Sequence, residues 1–161
     1  MIQPKWILLA EDNPIDAELA LRALNASGAG VKVVLANDGS EALDCLNRCG
    51  TDETCGGGHP TMVLLDLKMP KVDGLEVLRQ IKGDPRLRQI PVVMFTSSRE
   101  EADLARCYDL GANAYVVKPV AFAEYRAVLQ EVRTFWMGIN ELPAEDRFKR
   151  QSMPPQLVPA A

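Results

Sequence analysis

No apolar stretch in these 161 residues approaches the ~18 that a membrane-spanning helix requires, so the sequence offers no membrane span. The opening residues, Met1-Ile2-Gln3-Pro4-Lys5, are too polar and too few for a signal peptide. A basic block is also missing: 18 Lys and Arg face 22 Asp and Glu, for a net charge of −4. That balance argues against a nucleic-acid partner held by counterion release. Only one histidine is present, His59, and there are no internal repeats. The expectation is a cytoplasmic, soluble chain with neither a membrane nor a nucleic-acid partner. Its 47% of hydrophobic residues and 25% of charged ones fit a globular domain that buries a core without cross-links. The four cysteines do not change this. Cys49, Cys55 and His59 follow no common zinc spacing, and a chain without an export signal disfavours disulfides. Cys45 and Cys107 instead read as thiols on the apolar faces of helices.

What the sequence does contain is an alternation of two hydrophobic periods. Five short apolar runs, Trp6–Ala10, Val31–Ala36, Met62–Leu65, Val92–Phe95 and Ala114–Val117, read as strands covered on both faces. Between them lie helical patterns. Asn13 reads as an N-cap and Pro14 as the first helical residue, with Ile15, Leu19 and Ala23 on one face. Further helices are expected over Asp38–Leu46, Gly74–Lys82 and Arg99–Leu110. The last, Ala121–Trp136, spaces Phe122, Tyr125, Leu129, Val132 and Trp136 by three and four. Five strands alternating with five helices predict an α/β fold, a doubly wound parallel sheet. Residues 138–161 hold four of the eleven prolines and read as an extension beyond a domain over 5–137.

In such a sheet, ligands bind outside the carboxyl ends of the strands. There stand Glu11 and Asp12, Asp66, the hydroxyl cluster Thr96-Ser97-Ser98, and Lys118. Crowded carboxylates repel, and a hard divalent cation with oxygen ligands relieves the repulsion; Mg²⁺ suits a shallow site of this kind. One carboxylate oxygen can then attack phosphorus, with Lys118 and the Thr96 hydroxyl neutralising the transferred oxygens. An aspartyl phosphatase resembling the haloacid dehalogenase group would place Asp-x-Asp after the first strand, where this chain has Glu11-Asp12-Asn13. A nucleotide or flavin site would want a glycine-rich turn there. A third alternative is an adaptor that keeps the fold and has lost the chemistry, which intact Asp66, Thr96 and Lys118 oppose.

These residues carry a resemblance. Leu9-Ala10-Glu11-Asp12-Asn13, Leu64-Leu65-Asp66-Leu67-Lys68-Met69-Pro70, Asp73-Gly74, Thr96-Ser97-Ser98, Gly111-Ala112 and Lys118-Pro119 resemble, in order and spacing, the receiver domain of two-component response regulators. The resemblance covers residues 5 to 136. It implies a flavodoxin-like (βα)5 fold with strand order 2-1-3-4-5 and phosphoryl transfer from a histidine kinase to Asp66. It further implies Mg²⁺ held by Glu11, Asp12, Asp66 and the Lys68 backbone carbonyl. Thr96 becomes the switch hydroxyl, Ser97 a contact to the phosphoryl group through its amide, Lys118 its ion-pair partner and Tyr115 the aromatic switch. Such a protein is a phosphoacceptor that signals by protein contacts, not an enzyme acting on other substrates. Ile81-Lys82-Gly83-Asp84-Pro85, Ile90-Pro91-Val92-Val93, Gly111-Ala112-Asn113 and Phe135-Trp136 resemble the stand-alone regulators that partner phytochrome-type histidine kinases. By the same resemblance, output runs through the face of helix four, strand five and helix five, in a homodimer or toward another protein.

Overall fold

A computed structural model describes residues 4–26, 28, 30–49 and 58–144. The elements alternate as the two periods require: β1 (Trp6–Ala10), α1 (Pro14–Asn25), β2 (Lys32–Ala36), α2 (Gly39–Arg48) and β3 (Met62–Leu65). Then come α3 (Gly74–Gly83), β4 (Val92–Thr96), α4 (Glu101–Asp109), β5 (Ala114–Val117) and α5 (Phe122–Arg133), with a π-helical continuation over Thr134–Ile139. All strand pairs are parallel, in the order β2-β1-β3-β4-β5, as the family resemblance implies. No helix among the described residues is long and apolar enough to cross a membrane. The proline-rich residues past 144, and Cys55, lie outside the described residues.

Apart from Lys32 and Thr96 at strand ends, the strands are apolar because each face meets helices. Trp6, Leu8, Val63, Leu65, Val92 and Met94 point to one side, where Cys45, Leu46, Leu78, Ile81 and Cys107 of α2, α3 and α4 cover them. Ile7, Leu9, Met62, Leu64, Val93 and Phe95 point to the other, under Ala20, Leu24, Tyr125 and Leu129 of α1 and α5. This is the period of two expected of a strand, doubled by burial on both sides. Cys45 and Cys107 are both buried in this core, as their helical positions predicted.

Two sequence expectations change. In α1 the buried residues are Ala17, Ala20, Ala23 and Leu24, while Ile15 is 70% exposed. Small alanines let α1 lie close to the sheet, and that rotation turns Ile15 to solvent. In the last helix, Tyr125, Leu129 and Val132 are buried as expected, but Phe122 is 57% exposed and Trp136 only half-buried. The winding changes from α to π at Thr134, with the Asn140 amide donating to the Phe135 carbonyl. A step of five residues therefore follows Val132 and brings Met137 inward instead of Trp136. The Lys5 ammonium donates to the Met137 carbonyl at 2.7 Å and pins this turn.

Part of the Ile81–Asn113 motif set has a structural task at the opposite edge of the sheet from the acidic residues. The Lys82 ammonium donates to the carbonyls of Arg88 and Ile90 and to Asn113 Oδ1, at 3.1, 2.9 and 2.9 Å. Asn113 Oδ1 also accepts from the Val92 amide, so one knot joins α3, β4 and β5. Gly111, at φ +98°, lets the chain pass 3.2 Å from the lysine's stem, measured from where a Cβ would stand. Burial pulls the Lys82 pKa down to about 8, so the ammonium with its three donors still predominates at neutral pH. Lys82→Met strands these acceptors and is expected to lower stability by about 2 kcal/mol, read from a urea melt. An unchanged midpoint would show that the knot is redundant.

Candidate functional site

The sheet ladder runs one residue past the ends of its strands, and this places the charged groups. The Glu11 amide donates to the Ala36 carbonyl, the Asp66 amide to Ala10, and the Lys118 amide to Thr96, at 3.1, 3.0 and 2.8 Å. Glu11, Asp66 and Lys118 thus stand at one edge, held by backbone hydrogen bonds and not by loop conformation. Thr96 is the last residue of β4 and 2% exposed. The Lys118–Pro119 bond is trans.

Lys118 is the centre of the cluster. Its ammonium donates to Glu11 Oε2, Asp16 Oδ2 and Asp66 Oδ2 at 2.7, 3.0 and 3.1 Å, with a side chain only 8% exposed. The Phe95 ring lies beneath it, 5.7 Å from centroid to nitrogen. Burial pulls the ammonium's pKa down, but the Glu11 hydrogen bond and the Asp66 and Glu11 charges outweigh it, so Lys118 titrates above an ordinary lysine. Burial pushes the Glu11 carboxyl up to about 7 against the Lys118 hydrogen bond, and the Asp66 charge adds to the rise.

Sequence reasoning missed Asp16. It lies in the first turn of α1, three residues after the Asn13 N-cap, whose side chain accepts from the Ile15 and Asp16 amides. A first-turn acid reads as a partner of the helix dipole, and nothing local announces a salt bridge to a lysine 102 positions away. The signal that would have found it is geometric: the first turn of α1 opens at the same sheet edge as Glu11. The Tyr125 hydroxyl donates to the Asp16 carbonyl at 3.1 Å and stacks at a tilt on Phe95, with centroids 5.2 Å apart. One contact set therefore ties α1, β4, β5 and α5 together around the lysine.

Oxygen atoms of Glu11, Asp12 and Asp66 all lie within 4.8 Å of one another. Glu11 is buried at 2% exposure and its Oε1 also accepts from the Asn13 amide at 3.1 Å, whereas Asp12 faces solvent. Three hard oxygen donors, one of them open to water, fit a small divalent cation that keeps several of its own waters. Lys68, two residues beyond Asp66, has an exposed side chain, and Ser97 is exposed beside the buried Thr96. The Thr96 hydroxyl accepts from the Ser98 amide at 3.2 Å. The half-buried Tyr115 sends its hydroxyl to the Ser98 carbonyl at 2.9 Å. Asp73 caps α3 by accepting from the Glu76 amide, and Gly74 starts that helix hard against the end of β3. A Cβ at Gly74 would stand 2.1 Å from the Asp66 carbonyl oxygen.

A parallel sheet in this order with an acidic cluster and a buried lysine at its carboxyl edge defines a receiver domain, and the chain belongs to that family. The family model for the response regulator receiver domain matches residues 7–130. The chain is similar to a probable methanogenesis regulatory protein, FilR2, of Methanothrix harundinacea, with 44% identity over 87% of this chain and 88% of that one. Among solved structures it resembles the phosphorylated cyanobacterial phytochrome response regulator RcpA, at 38% identity and a TM-score of 0.80 over 88% of this chain and 99% of that one. It also resembles the bacteriophytochrome response regulator AtBRR, at 55% identity and a TM-score of 0.67 over 87% and 100%. The protein is a two-component signalling protein related to the phytochrome response regulators.

Proposed function

We propose that Asp66 accepts a phosphoryl group from a phosphohistidine of a phytochrome-type histidine kinase. The observation that carries this reading is the buried Lys118 ammonium, bonded at once to Asp66 and Glu11 beside the three-carboxylate cluster. An Asp66 oxygen attacks phosphorus, the phosphorus–nitrogen bond breaks, and the imidazole leaves with its electron pair. Lys118 pairs with a phosphoryl oxygen, and the Thr96 hydroxyl and Ser97 amide donate to the others. Glu11, Asp12, Asp66 and the Lys68 carbonyl are the groups to hold Mg²⁺, which when bound supplies charge neutralisation at the transferred oxygens. The Thr96 hydroxyl, donating to the phosphoryl group while still accepting from the Ser98 amide, then draws Ser98 with it and alters the Ser98–Tyr115 contact, and the α4–β5–α5 face changes its affinity for a second copy or another protein. Exposed Tyr108, Val120 and Phe122 on and beside that face supply apolar contact area. The phytochrome-type partner is favoured by the 55% identity to AtBRR.

Incubation with Mg²⁺ and acetyl phosphate is expected to add about 80 Da, one phosphoryl group, to the protein and nothing to Asp66→Asn. Equal labelling of the two would refute Asp66 as the acceptor.

A further inference from the structure

The helix α4 is the most lightly held of the five. Cys107 is its only buried residue, whereas α1, α2 and α3 each bury four and α5 three. The side chains of Asn13, Asp38 and Asp73 cap α1, α2 and α3, but Glu100, at the cap position of α4, makes no such bond. Few buried contacts and an uncapped amino end make an element that shifts readily.

Ser98 takes over the missing cap from outside the helix. Its hydroxyl accepts from the Glu100 amide at 3.3 Å and donates to Asp103 Oδ2, in the first turn of α4, at 2.6 Å. The other two polar groups of Ser98 are engaged as well: its amide with the Thr96 hydroxyl and its carbonyl with the Tyr115 hydroxyl. One serine thus joins the end of β4, a ring on β5 and the first turn of α4. The bond to Asp103 is the shortest of the four and the only one with a carboxylate acceptor, which makes it the strongest.

We propose that Asp103 is a positioning residue: through Ser98 it couples the Thr96 hydroxyl to the first turn of α4, so that loop and helix move as one body when Asp66 carries a phosphoryl group. The proposal rests on Asp66 as the phosphoacceptor. The mechanics follow from what else holds α4. Without the Asp103 bond, the fixed point of the helix is Cys107, far from its amino end, and a shift of Thr96 dissipates in the three residues from Ser98 to Glu100. With it, the shift reaches the helix directly, and the carbonyl on which Tyr115 rests moves with the same residue.

Hydrogen exchange of the α4 amides tests this, with and without phosphorylation by acetyl phosphate and Mg²⁺, uptake being verified by mass. Four proteins are compared: the wild type, Asp103→Ala, Asp103→Asn and Ser98→Ala. Both Asp103 variants remove one of the two first-turn acids and leave Glu101, but Asn keeps an acceptor oxygen, so the pair separates the hydrogen bond from the dipole effect. Phosphorylation is expected to change α4 exchange about tenfold in the wild type and Asp103→Asn, the factor one such bond commands, and less than about twofold in fully phosphorylated Asp103→Ala. Ser98→Ala, which removes the donor and keeps Asp103, should lose the response in the same way. A full response in Asp103→Ala or Ser98→Ala overturns the coupling, as does a phosphorylated wild type whose α4 is indifferent. A wild type that gains no mass overturns the phosphoacceptor reading itself, a result told apart by the mass alone.

Discussion

Lys118→Met should leave a folded protein that is about 3–5 kcal/mol less stable and takes up phosphoryl groups at least ~100-fold more slowly. The stability loss follows from the three carboxylates of Glu11, Asp16 and Asp66, which share this one ammonium at 2.7 to 3.1 Å. Methionine fills the same volume on the Phe95 ring but leaves the acids uncompensated in a site where burial already pushes Glu11 up to about 7. The kinetic loss follows from the donor that the transferred oxygens no longer find. The two losses separate experimentally. Added Mg²⁺ should recover part of the urea midpoint, because a second cation relieves the same repulsion, without restoring the rate to that of the wild type. A midpoint equal to the wild type's would show that the lysine does not neutralise this cluster.

Gly74→Ala should be a severely damaging change for a single methyl group, placed directly behind Asp66. The added carbon would stand 2.1 Å from the Asp66 carbonyl oxygen and 2.8 and 2.9 Å from the Cα and carbonyl oxygen of Leu67. All three are backbone atoms, so no rotamer change relieves the clash and the β3–α3 connection itself must move. Overpacking of this kind costs about 3 kcal/mol, and a shift of ~1 Å at Asp66 lowers its reactivity by about 100-fold. Gly83, at the other end of the same helix, is the control: a Cβ there meets nothing within 4 Å. Gly83→Ala should be neutral or raise stability by up to ~1 kcal/mol through the unfolded state. Equal urea midpoints for the two variants would refute the steric reading of Asp73-Gly74.

The architecture was legible because burial on both faces leaves a plain mark, a continuous apolar run, and because the acids fall at the ends of those runs. Glu11, Asp66, Thr96 and Lys118 could be placed at one edge from that rule alone. Two kinds of information were not local. The inward side of α1 depends on how near its alanines let the helix come, so the larger Ile15 misled. Asp16 reaches Lys118 only after α1 and β5 are assembled, and a one-dimensional pattern holds no trace of that meeting. The π turn at Thr134 escaped for a related reason: a period of 3.6 carried past Val132 selects Trp136, and the wider winding is rewarded by tertiary contacts, Met137 in the core and the Lys5 bond to its carbonyl. Ser98 was read as one member of a hydroxyl cluster, although its four bonds make it the junction of three elements.

The internal ammonium at the acidic edge has a consequence for how a divalent cation would enter this site. In many small domains held together by a metal, folding and metal uptake are one event, and chelation unfolds the chain. Here Lys118 is supplied by the chain itself, and it balances Glu11 and Asp66 as soon as β1, β3, β4 and β5 pair. Assembly is thereby released from metal supply. On the proposed reading of Asp66 as the phosphoacceptor, a swing in free divalent cation should then alter how fast the protein is charged with phosphate and leave its folded population nearly unchanged, so the same pool of molecules would follow the cation as a rate and not as a headcount.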